Sequence, residues 1–175
     1  MSCIQTYNGI GLSCADATGG IKEVYIADLS TIASVTIESD EITAIAMSGN
    51  AKFKAFKMRK QTGSVTSTVN NDDAAGTSYI SSEIALQFTK QETAKRLEIQ
   101  KLIAGNSAVI VKDGNDNYFY FGKDNPVTCT AGTASTGTAF GDFNGYNVTL
   151  TDVSKELPYQ ISETAITSEI IDFGE

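Results

Sequence analysis

Apolar and polar residues alternate in short runs along most of the chain, and this two-residue period predicts β-strands. The polar residues 39–41 separate two such runs and predict a tight hairpin turn, and the polar stretch 70–76 predicts a loop. In the first half of the chain, the predicted strands cover residues 23–27, 34–38, 42–47, 63–69 and 77–89.

The segment 51–60 (AKFKAFKMRK) also alternates, but its pattern changes part-way along. Up to Ala55 the lysines lie on one side and apolar residues on the other, and beyond Ala55 the apolar residues fall on the lysine side. Because one extra residue in a strand restores such a pattern, the sequence predicts a β-bulge near residues 55–56.

One segment, 89–104, has the composition and period of an α-helix. Thr89 and Glu92 are spaced as in a capping box, and Gly105 stands where a left-handed C-cap residue is expected. Glu92 and Arg96 are four residues apart and predict an ion pair on the solvent side. The predicted apolar face consists of Leu97, Ile99, Leu102 and Ile103.

Residues 107–112 and 118–122 predict a second hairpin around the Asp/Asn-rich segment 113–117. Calcium-binding loops share that composition, but Asp124 replaces the glutamate of position twelve and no helices flank the loop, so a turn is favoured. Both faces of this hairpin are apolar and need cover, either from a helix and a second sheet or from a neighbouring subunit. In the second case, the candidate intersubunit contacts are Tyr118, Tyr120 and Phe121.

Together these elements predict a mainly β fold, a β-sandwich or barrel of about ten strands with one flanking α-helix at about 90–104. The Gly/Thr-rich segment 132–138 predicts a flexible connector, and a last short strand is expected around Ile166 or Ile170. The predicted organisation is an extended N-terminal arm at 1–20, a sandwich domain at 21–162 and an acidic C-terminal tail at 163–175.

The chain contains no histidine, and this absence removes many catalytic and metal-binding templates. Histidine-based triads, HExxH zinc sites and imidazole pH switches are all excluded. Cys3, Cys14 and Cys129 have no CxxC spacing, which argues against a disulfide scaffold or a zinc site. No signal-peptide pattern and no membrane-spanning apolar run are present, so we expect a soluble protein made inside a cell.

The remaining motifs favour no catalytic chemistry. The glycines at 9–11 and 132–141 lack the spacing and the following helix of a phosphate-binding loop. Neighbouring carboxylates such as Asp72 and Asp73 lie in polar turns, where turn chemistry explains them better than acid/base catalysis. We therefore expect a protein that is not an enzyme, with no catalytic residue, cofactor or metal.

Charge is distributed unevenly over a chain whose formal net charge is −8. Residues 1–50 carry one base and six acids, residues 51–123 eleven bases and seven acids, and residues 124–175 one base and eight acids. Nucleic-acid binding is one explanation of the basic cluster in the middle block, but few aromatic residues accompany it. We favour complementary contacts between copies, and the candidate intersubunit residues are Lys52, Lys54, Lys57, Arg59 and Lys60.

The order of a long strand, a capped helix, an aromatic hairpin, a Gly/Thr-rich connector and a final strand resembles the tail-tube fold of tailed bacteriophages. The phrase YFYFGKDNPV, followed later by GTASTGTAFGDFNGYNVTL, resembles small tail-tube or tail-ring (connector) subunits of crAss-like and related gut-bacterial phages. The resemblance covers roughly residues 20–165 and is carried by arrangement and phrase rather than by a catalytic signature.

This resemblance implies a virion structural protein, a subunit of a homo-oligomeric ring or tube with six-fold symmetry or a multiple of it. It also implies contacts with adjacent tail or connector proteins, assembly in the host bacterial cytoplasm and no membrane. Double-stranded DNA would pass transiently through an acidic lumen that repels phosphate. The candidate lumen-lining strands are 34–47 and 51–69, with the basic cluster expected at a ring–ring or neighbour contact instead.

Two other classes of function fit a mainly β chain. A ligand- or carbohydrate-binding β-sandwich, such as an adhesin or receptor-binding module, usually presents exposed aromatic residues beside carboxylates, and tryptophan is absent here. A hydrolase that uses a carboxylate pair has only turn acids available. Self-assembly is therefore the favoured hypothesis.

Overall fold

The computed structural model describes residues 9–12, 16–167 and 169–173, which form two β-sheets, one α-helix and two short 3₁₀ turns. The predicted mainly β fold with one flanking helix is confirmed. The elements are β1 (Ile21–Asp28), β2 (Ile32–Glu38), β3 (Glu41–Met47), β4 (Phe53–Phe56), β5 (Gly63–Asp72), β6 (Thr77–Thr89), α1 (Thr93–Ala104), β7 (Ser107–Asp113), β8 (Tyr118–Phe121), β9 (Thr128–Ser135), β10 (Gly145–Ser154), β11 (Tyr159–Ile161) and β12 (Ile171–Asp172).

Sheet A contains eight strands in the order β12-β4-β1-β7-β8-β11-β3-β2, and sheet B contains four in the order β5-β6-β10-β9. Neighbouring strands are antiparallel except for β11–β3 and β12–β4, which are parallel. The predicted hairpin of β2 and β3 is present, and Ser39 and Asp40 at its turn have φ angles of 52° and 64°. Positive φ at both central residues is the backbone geometry of tight hairpin turns.

The two sheets pack face to face, and the alternation of β6 shows how the sequence produces this packing. At every second position from Ile80 to Phe88 the β6 side chain is buried. Four of these five side chains are apolar, and each large one contributes about 1.5–3 kcal/mol when fully buried. Ile84, Leu86 and Phe88 pack with apolar side chains of β1, β7, β8 and β10, and Ile99 and Leu102 of α1 join the same cluster.

The face of sheet A that points away from sheet B is also buried. The sheet is curved, so side chains of its outer strands pack on those of its central strands. Ile110 of β7 and Tyr120 of β8 belong to a second apolar cluster with Ile42, Phe53 and Ile171, which lie on strands far apart in the sheet. Sheet B therefore covers one face of the β7–β8 hairpin, as predicted, and sheet A itself covers the other. The alternative in which a helix covers that second face is therefore wrong, since α1 packs in the cluster between the two sheets.

Strand β4 ends earlier than the alternation predicted, and it contains no bulge. Its register with β1 runs without interruption from the pair Ile26–Lys54 to the pair Val24–Phe56. Residues 57–62 then leave the sheet. The change of pattern after Ala55 thus marks the end of a strand, and Met58 reaches the core between the sheets from the following loop.

The segment 132–138 is strand over half of its length, because β9 continues to Ser135 as the partner of β10. Glycine, threonine and alanine give a weak strand signal by themselves, but the backbone of β10 offers them a hydrogen-bonded ladder. The hydroxyl oxygens of Thr130 and Thr151 also lie 2.7 Å apart across this pair. The predicted flexible connector is therefore wrong for its first four residues.

Helix α1 begins later than predicted, and the capping box does not form. Thr89 is the last residue of β6, Lys90 has a φ of 67°, and Glu92 is an N-cap without a side-chain capping hydrogen bond. The Glu92 carboxylate pairs with Lys90 Nζ at 2.6 Å and with Lys95 Nζ at 3.3 Å, in place of the predicted partner Arg96. The extension of β6 into sheet B thus determines where the helix can start.

The other end of α1 also differs from the prediction. Gly105 has a φ of −100°, so the left-handed C-cap is wrong. Of the predicted apolar face, Ile99 and Leu102 are buried against the sandwich, whereas Leu97 and Ile103 are exposed. The helix buries a narrower stripe than its sequence suggests because it lies along one side of the sandwich rather than inside it.

The chain ends beyond the sandwich domain are partly attached to it. Ala165 and Ile171 are buried, and β12 pairs with β4, so the predicted acidic tail joins the core of sheet A and the strand expected near Ile170 is present. In the predicted arm, the Thr18 hydroxyl donates to Gly114 O at 2.9 Å, and its backbone N–H donates to Asn115 Oδ1 at 2.7 Å. Residues 1–8 and 13–15 of the arm lie outside the described residues.

Candidate self-assembly surface

One face of sheet B points away from the core and consists mainly of small polar side chains, with Tyr79 and Val153 as its exposed larger residues. The outward positions of β6 and β10 alternate with buried ones, and the paired positions of β5 and β9 continue the same face. All four strands lie within the described residues. Apart from Asp72, which is next to the β5–β6 turn, Glu83 is the one charged side chain on their outer face. The outward residues include Ser64, Thr66, Thr68, Asn70, Ser81, Ala85, Gln87, Asn147, Thr149, Thr151 and Thr133.

Both outer strands of sheet B have an open edge. β5 has ten residues paired to β6 without interruption, and β9 has eight residues with one irregularity near Thr149. In sheet A, by contrast, one outer strand, β12, has two residues and the other, β2, pairs with register shifts at two places. Short strands and bulges protect an edge from further pairing, whereas long regular edges invite it.

The two open edges of sheet B run in opposite directions. The four strands alternate in direction, so β5 and β9 are antiparallel to each other at the two sides of the sheet. If copies are placed side by side in the same orientation, β9 of one copy meets β5 of the next as an antiparallel pair. The same hydrogen-bonding pattern would then continue from copy to copy.

The side of the sandwich next to β9 carries α1. A groove of about 420 Å³ lies between the helix and β9, and its lining includes Ile99, Ile103, Cys129 and Tyr146. The Ile103 side chain is 58% exposed at this groove. Burial raises the pKa of the Cys129 thiol, and a thiol with a raised pKa is a weak nucleophile.

The side next to β5 is open between the sheets. A cleft of about 490 Å³ is bordered there by Val65 of β5 and by Val111, Phe119 and Phe121 of sheet A. Leu157, which is 59% exposed, also lines it. The two sides of the sandwich therefore both combine an open strand edge with exposed apolar surface.

One buried polar group stands out on the inner side of sheet B. Asp152 is 2% exposed, and its Oδ1 atom has no hydrogen-bond partner. Burial raises the pKa of this carboxyl, while the Gly122 N–H and the Ser154 hydroxyl act in the opposite direction. Its opposite residue on β6 is Ser82, which is also buried and hydrogen-bonds to Ser67 at 2.7 Å.

The predicted basic cluster is divided between two places, neither of them on the outer face of sheet B. Lys52 and Lys54 are exposed near β4, where Lys54 Nζ pairs with Asp172 Oδ2 at 2.6 Å. Lys57, Arg59 and Lys60 are exposed in the loop before β5. Part of the charge complementarity expected between copies is therefore satisfied within one chain, through Lys54 and the C-terminal segment.

The predicted aromatic contacts lie mostly inside the chain. Tyr120 and Phe121 are 3% and 2% exposed, on opposite sides of sheet A, and burial raises the pKa of Tyr120 to about 12. Tyr118 is half-buried, with Lys112 Nζ 5.3 Å from its ring centroid. Tyr120 and Phe121 thus have little surface to offer a neighbouring subunit.

The Asp/Asn-rich segment forms the predicted turn between β7 and β8. Asp113 Oδ1 accepts the backbone N–H groups of Asn115 and Asn117 at 2.8 Å each, and Asp116 pairs with Lys22 at 2.9 Å. In the described part of the chain, no group of three or more potential metal-ligating side chains comes together. The carboxylates of this turn are occupied by its own backbone and by lysines.

Sequence reasoning missed the outer face of sheet B as a surface. The available signals were the hydroxyl-rich alternation of β5, whose residues 63–69 were predicted as a strand, and the Gly/Thr composition of β9, which by itself indicated a flexible connector. Comparisons with protein-family models, curated proteins and solved structures found no match to this chain. No helix among the described residues is long and apolar enough to cross a membrane.

Proposed function

We propose that the chain is a virion structural protein, a subunit of an oligomeric ring or tube in a bacteriophage tail or head–tail connector. In this proposal, copies join side by side through sheet B, with β9 of one copy adding to β5 of the next. Closure of the ring removes every open edge of sheet B and produces a continuous antiparallel barrel. The outer face of each sheet B then lines the lumen through which the genome passes.

The observation that carries the proposal is the outer face of sheet B together with its two open edges. This face carries mainly hydroxyl and amide groups, with Tyr79, Val153, a carboxylate at Glu83 and a second one at Asp72 beside the β5–β6 turn. Within these four strands it has no lysine or arginine, so it offers no counter-charge to DNA phosphates. The lumen would therefore be weakly rather than strongly acidic. From the sequence, segments 34–47 and 51–69 were the candidates for lining the lumen. In the present proposal, β5 is the part of segment 51–69 that lines it, and β6, β9 and β10 take the place of segment 34–47.

The sides of the sandwich support the same arrangement. When β9 meets β5, α1 and its exposed Ile103 approach the apolar cleft beside Val65 of the adjacent copy. Burial of apolar surface then adds to the backbone hydrogen bonds of the strand pair. The occupant we assign to the cleft is thus the α1 side of a second copy.

The alternative, a carbohydrate- or ligand-binding sandwich, has less support. Sugar sites combine aromatic platforms with several polar groups, whereas the cleft beside β5 is mainly apolar and its carboxylate, Asp113, is engaged in the β7–β8 turn. The long open edges of sheet B have no role in such a protein.

The test is assembly of the purified full chain and of two helix variants, followed by light scattering and negative-stain imaging. We expect wild-type rings or tubes and loss of assembly in Ile103→Asp, because a carboxylate would be buried against the apolar cleft. Leu97→Asp is the matched control, since Leu97 is 48% exposed on the same helix but does not line the groove beside β9. A wild-type protein that stays monomeric at high concentration, or equal assembly of both variants, would contradict the proposal.

A further inference from the structure

The β2–β3 hairpin is joined to the rest of sheet A through one short strand. Among the strands that the structure describes, β11 lies between β8 and β3 and is the partner that connects the hairpin to the sheet. β11 has three residues and forms a parallel pair with β3 over two positions, Gln160–Glu41 and Ile161–Ile42. Parallel pairing is slightly less stable per residue than antiparallel pairing. The hydrogen-bonded connection between this hairpin and the sheet is therefore small.

Packing of the β2–β3 hairpin also involves the C-terminal part of the chain. In β2, whose seven residues are all described, no side chain is buried, and in β3 the buried side chains are Ile42 and Ile45. Both belong to the second apolar cluster, to which Ile161 and Ala165 also contribute. The Ile42 carbonyl accepts the backbone N–H of Ser162 at 2.9 Å. Because an isolated two-stranded hairpin is marginally stable in water, this hairpin depends on such contacts.

The chain beyond β11 reaches the other side of sheet A. Its last strand, β12, pairs with β4, and the strands β8, β7, β1 and β4 lie between β11 and β12 in the sheet. The 3₁₀ turn Glu163–Ala165 follows β11, and Ala165 is buried in the second apolar cluster. At the far side, the Phe53 N–H donates to Ile170 O at 2.8 Å, and Ile171 is buried in the same cluster. One C-terminal segment therefore contacts both outer parts of sheet A.

Partly exposed polar contacts attach this segment at its two ends. Next to β11, Lys123 Nζ lies 3.1 Å from Glu156 Oε2 and 3.2 Å from the Tyr159 hydroxyl. At β12, Lys54 Nζ lies 2.6 Å from Asp172 Oδ2. Exposed ion pairs contribute little to stability, so the attachment depends mainly on the apolar cluster and on short strand pairs.

We propose that β11, the 3₁₀ turn Glu163–Ala165 and β12 form a C-terminal latch that opens and closes as one unit. When the latch opens, the β2–β3 hairpin loses its strand partner and separates from sheet A, whereas β1, β7, β8 and sheet B stay paired. The closed latch covers the second apolar cluster and occupies the edges of β8, β3 and β4, which are otherwise open to pairing with other chains. This conformational device belongs to the single chain and is independent of the proposed ring.

Hydrogen exchange of the full chain, followed by mass spectrometry, tests the latch. Backbone amides exchange through the opening of lowest free energy that exposes them, so segments that open together show similar protection. We expect segments 32–47 and 159–165 to share one level of protection. Their exchange should be at least about tenfold faster than that of segments 80–88 in β6 and 145–154 in β10, which stay paired when the latch opens.

A locked variant measures whether the latch is one unit. In a chain whose three native cysteines are replaced by serine, Lys54→Cys/Asp172→Cys places a disulfide between paired positions of β4 and β12. We expect the oxidised form to slow exchange in segment 32–47 by about tenfold or more, although β12 and β2 are the two outermost strands of sheet A. The reduced form of the same protein is the matched control.

Two alanine variants separate latch opening from global unfolding. Ile161→Ala removes a buried side chain from β11, and we expect it to speed exchange in segment 32–47 by about tenfold or more. Ile84→Ala removes a buried side chain from β6, outside the latch. It should speed exchange in segment 80–88 and leave segment 32–47 unchanged, because Ile84 stays packed when the latch opens.

Three results would each overturn the latch. The first is equal protection of segments 32–47 and 80–88 in the wild type. The second is equal exchange of segment 32–47 in the oxidised and reduced forms of the locked variant. The third is an Ile84→Ala chain in which segments 32–47 and 80–88 exchange faster by the same factor. If Ile161→Ala does not fold, the wild type and the other two variants decide the question.

Discussion

Sheets A and B both consist of strands with alternating side chains, but they differ in how many of their faces are buried and in how long their outer strands are. Sheet A buries both faces of its central strands, and its outer strands are short or irregular. Sheet B buries one face, exposes a hydroxyl-rich one and leaves two long edges open. The difference shows that both sheets contribute buried side chains to the core, whereas a polar outer face and long open edges occur in sheet B. In the proposed assembly, sheet B is the part that meets other copies.

The largest expected difference is between a buried side chain of sheet A and an exposed side chain on the outer face of sheet B. Ile110→Ala in the core of sheet A should lower the free energy of unfolding by about 3 kcal/mol, because a cavity replaces a side chain that is 0% exposed. Val153→Ala on the outer face of sheet B, where Val153 is 40% exposed, should change it by less than about 0.5 kcal/mol. Urea unfolding measures both, and similar losses would contradict the division of roles.

A second prediction concerns the buried carboxyl on the inner side of sheet B. The raised pKa of Asp152 means that the folded chain binds this proton more tightly than the unfolded chain. The stabilising contribution is thus present at low pH and is lost as the pH rises through the raised pKa. We expect Asp152→Asn to be more stable than wild type by about 1 kcal/mol at neutral pH, with the difference shrinking in acid.

Asp142 provides the control with the opposite sign. The backbone N–H groups of Ala139 and Thr138 hold the pKa of this carboxyl below its usual range. Asp142→Asn should therefore lose stability at neutral pH, and the loss should shrink as the pH falls through the lowered pKa. Thermal unfolding of both variants between pH 3 and 8 measures these dependences, and we expect pH slopes of opposite sign. Parallel slopes would refute the assignment for Asp152.

The smallest expected effect lies at the edge of sheet A. The Lys54–Asp172 ion pair is exposed, with 66% and 43% of the two side chains accessible, so Lys54→Ala should cost no more than about 0.5 kcal/mol. Ile171→Ala, on the same short strand, removes a buried side chain and should cost about 2 kcal/mol or more. If the two losses, measured by urea unfolding, are equal, the closure of this edge depends on charge rather than packing.

Prediction from sequence succeeded where a local pattern carried the information. The strand 77–89 coincides with β6, because its alternation is long and regular. The two hairpins were predicted because their turns have polar residues that tolerate positive φ, such as Asp40 and Asp116. It failed at β9 and at the start of α1, where the backbone follows a partner strand rather than its own propensity.

The candidate surface shows the same limit. The lysine-rich segment 51–60 was visible as charge, but its division between β4 and the loop before β5 depends on where β4 leaves β1. The aromatic residues Tyr120 and Phe121 were visible as apolar, but their burial depends on the curvature of sheet A. Neither fact is encoded within a few neighbouring residues.

The mainly β class, the position of the helix to within a few residues and the polar turns could be predicted from the chain alone, since these follow from periodicity and local backbone preference. Which strands are neighbours and which edges stay open could be read only from the folded structure. Those properties arise from pairing between segments far apart in the chain, such as β6 with β10, which bring together residues that no local pattern connects.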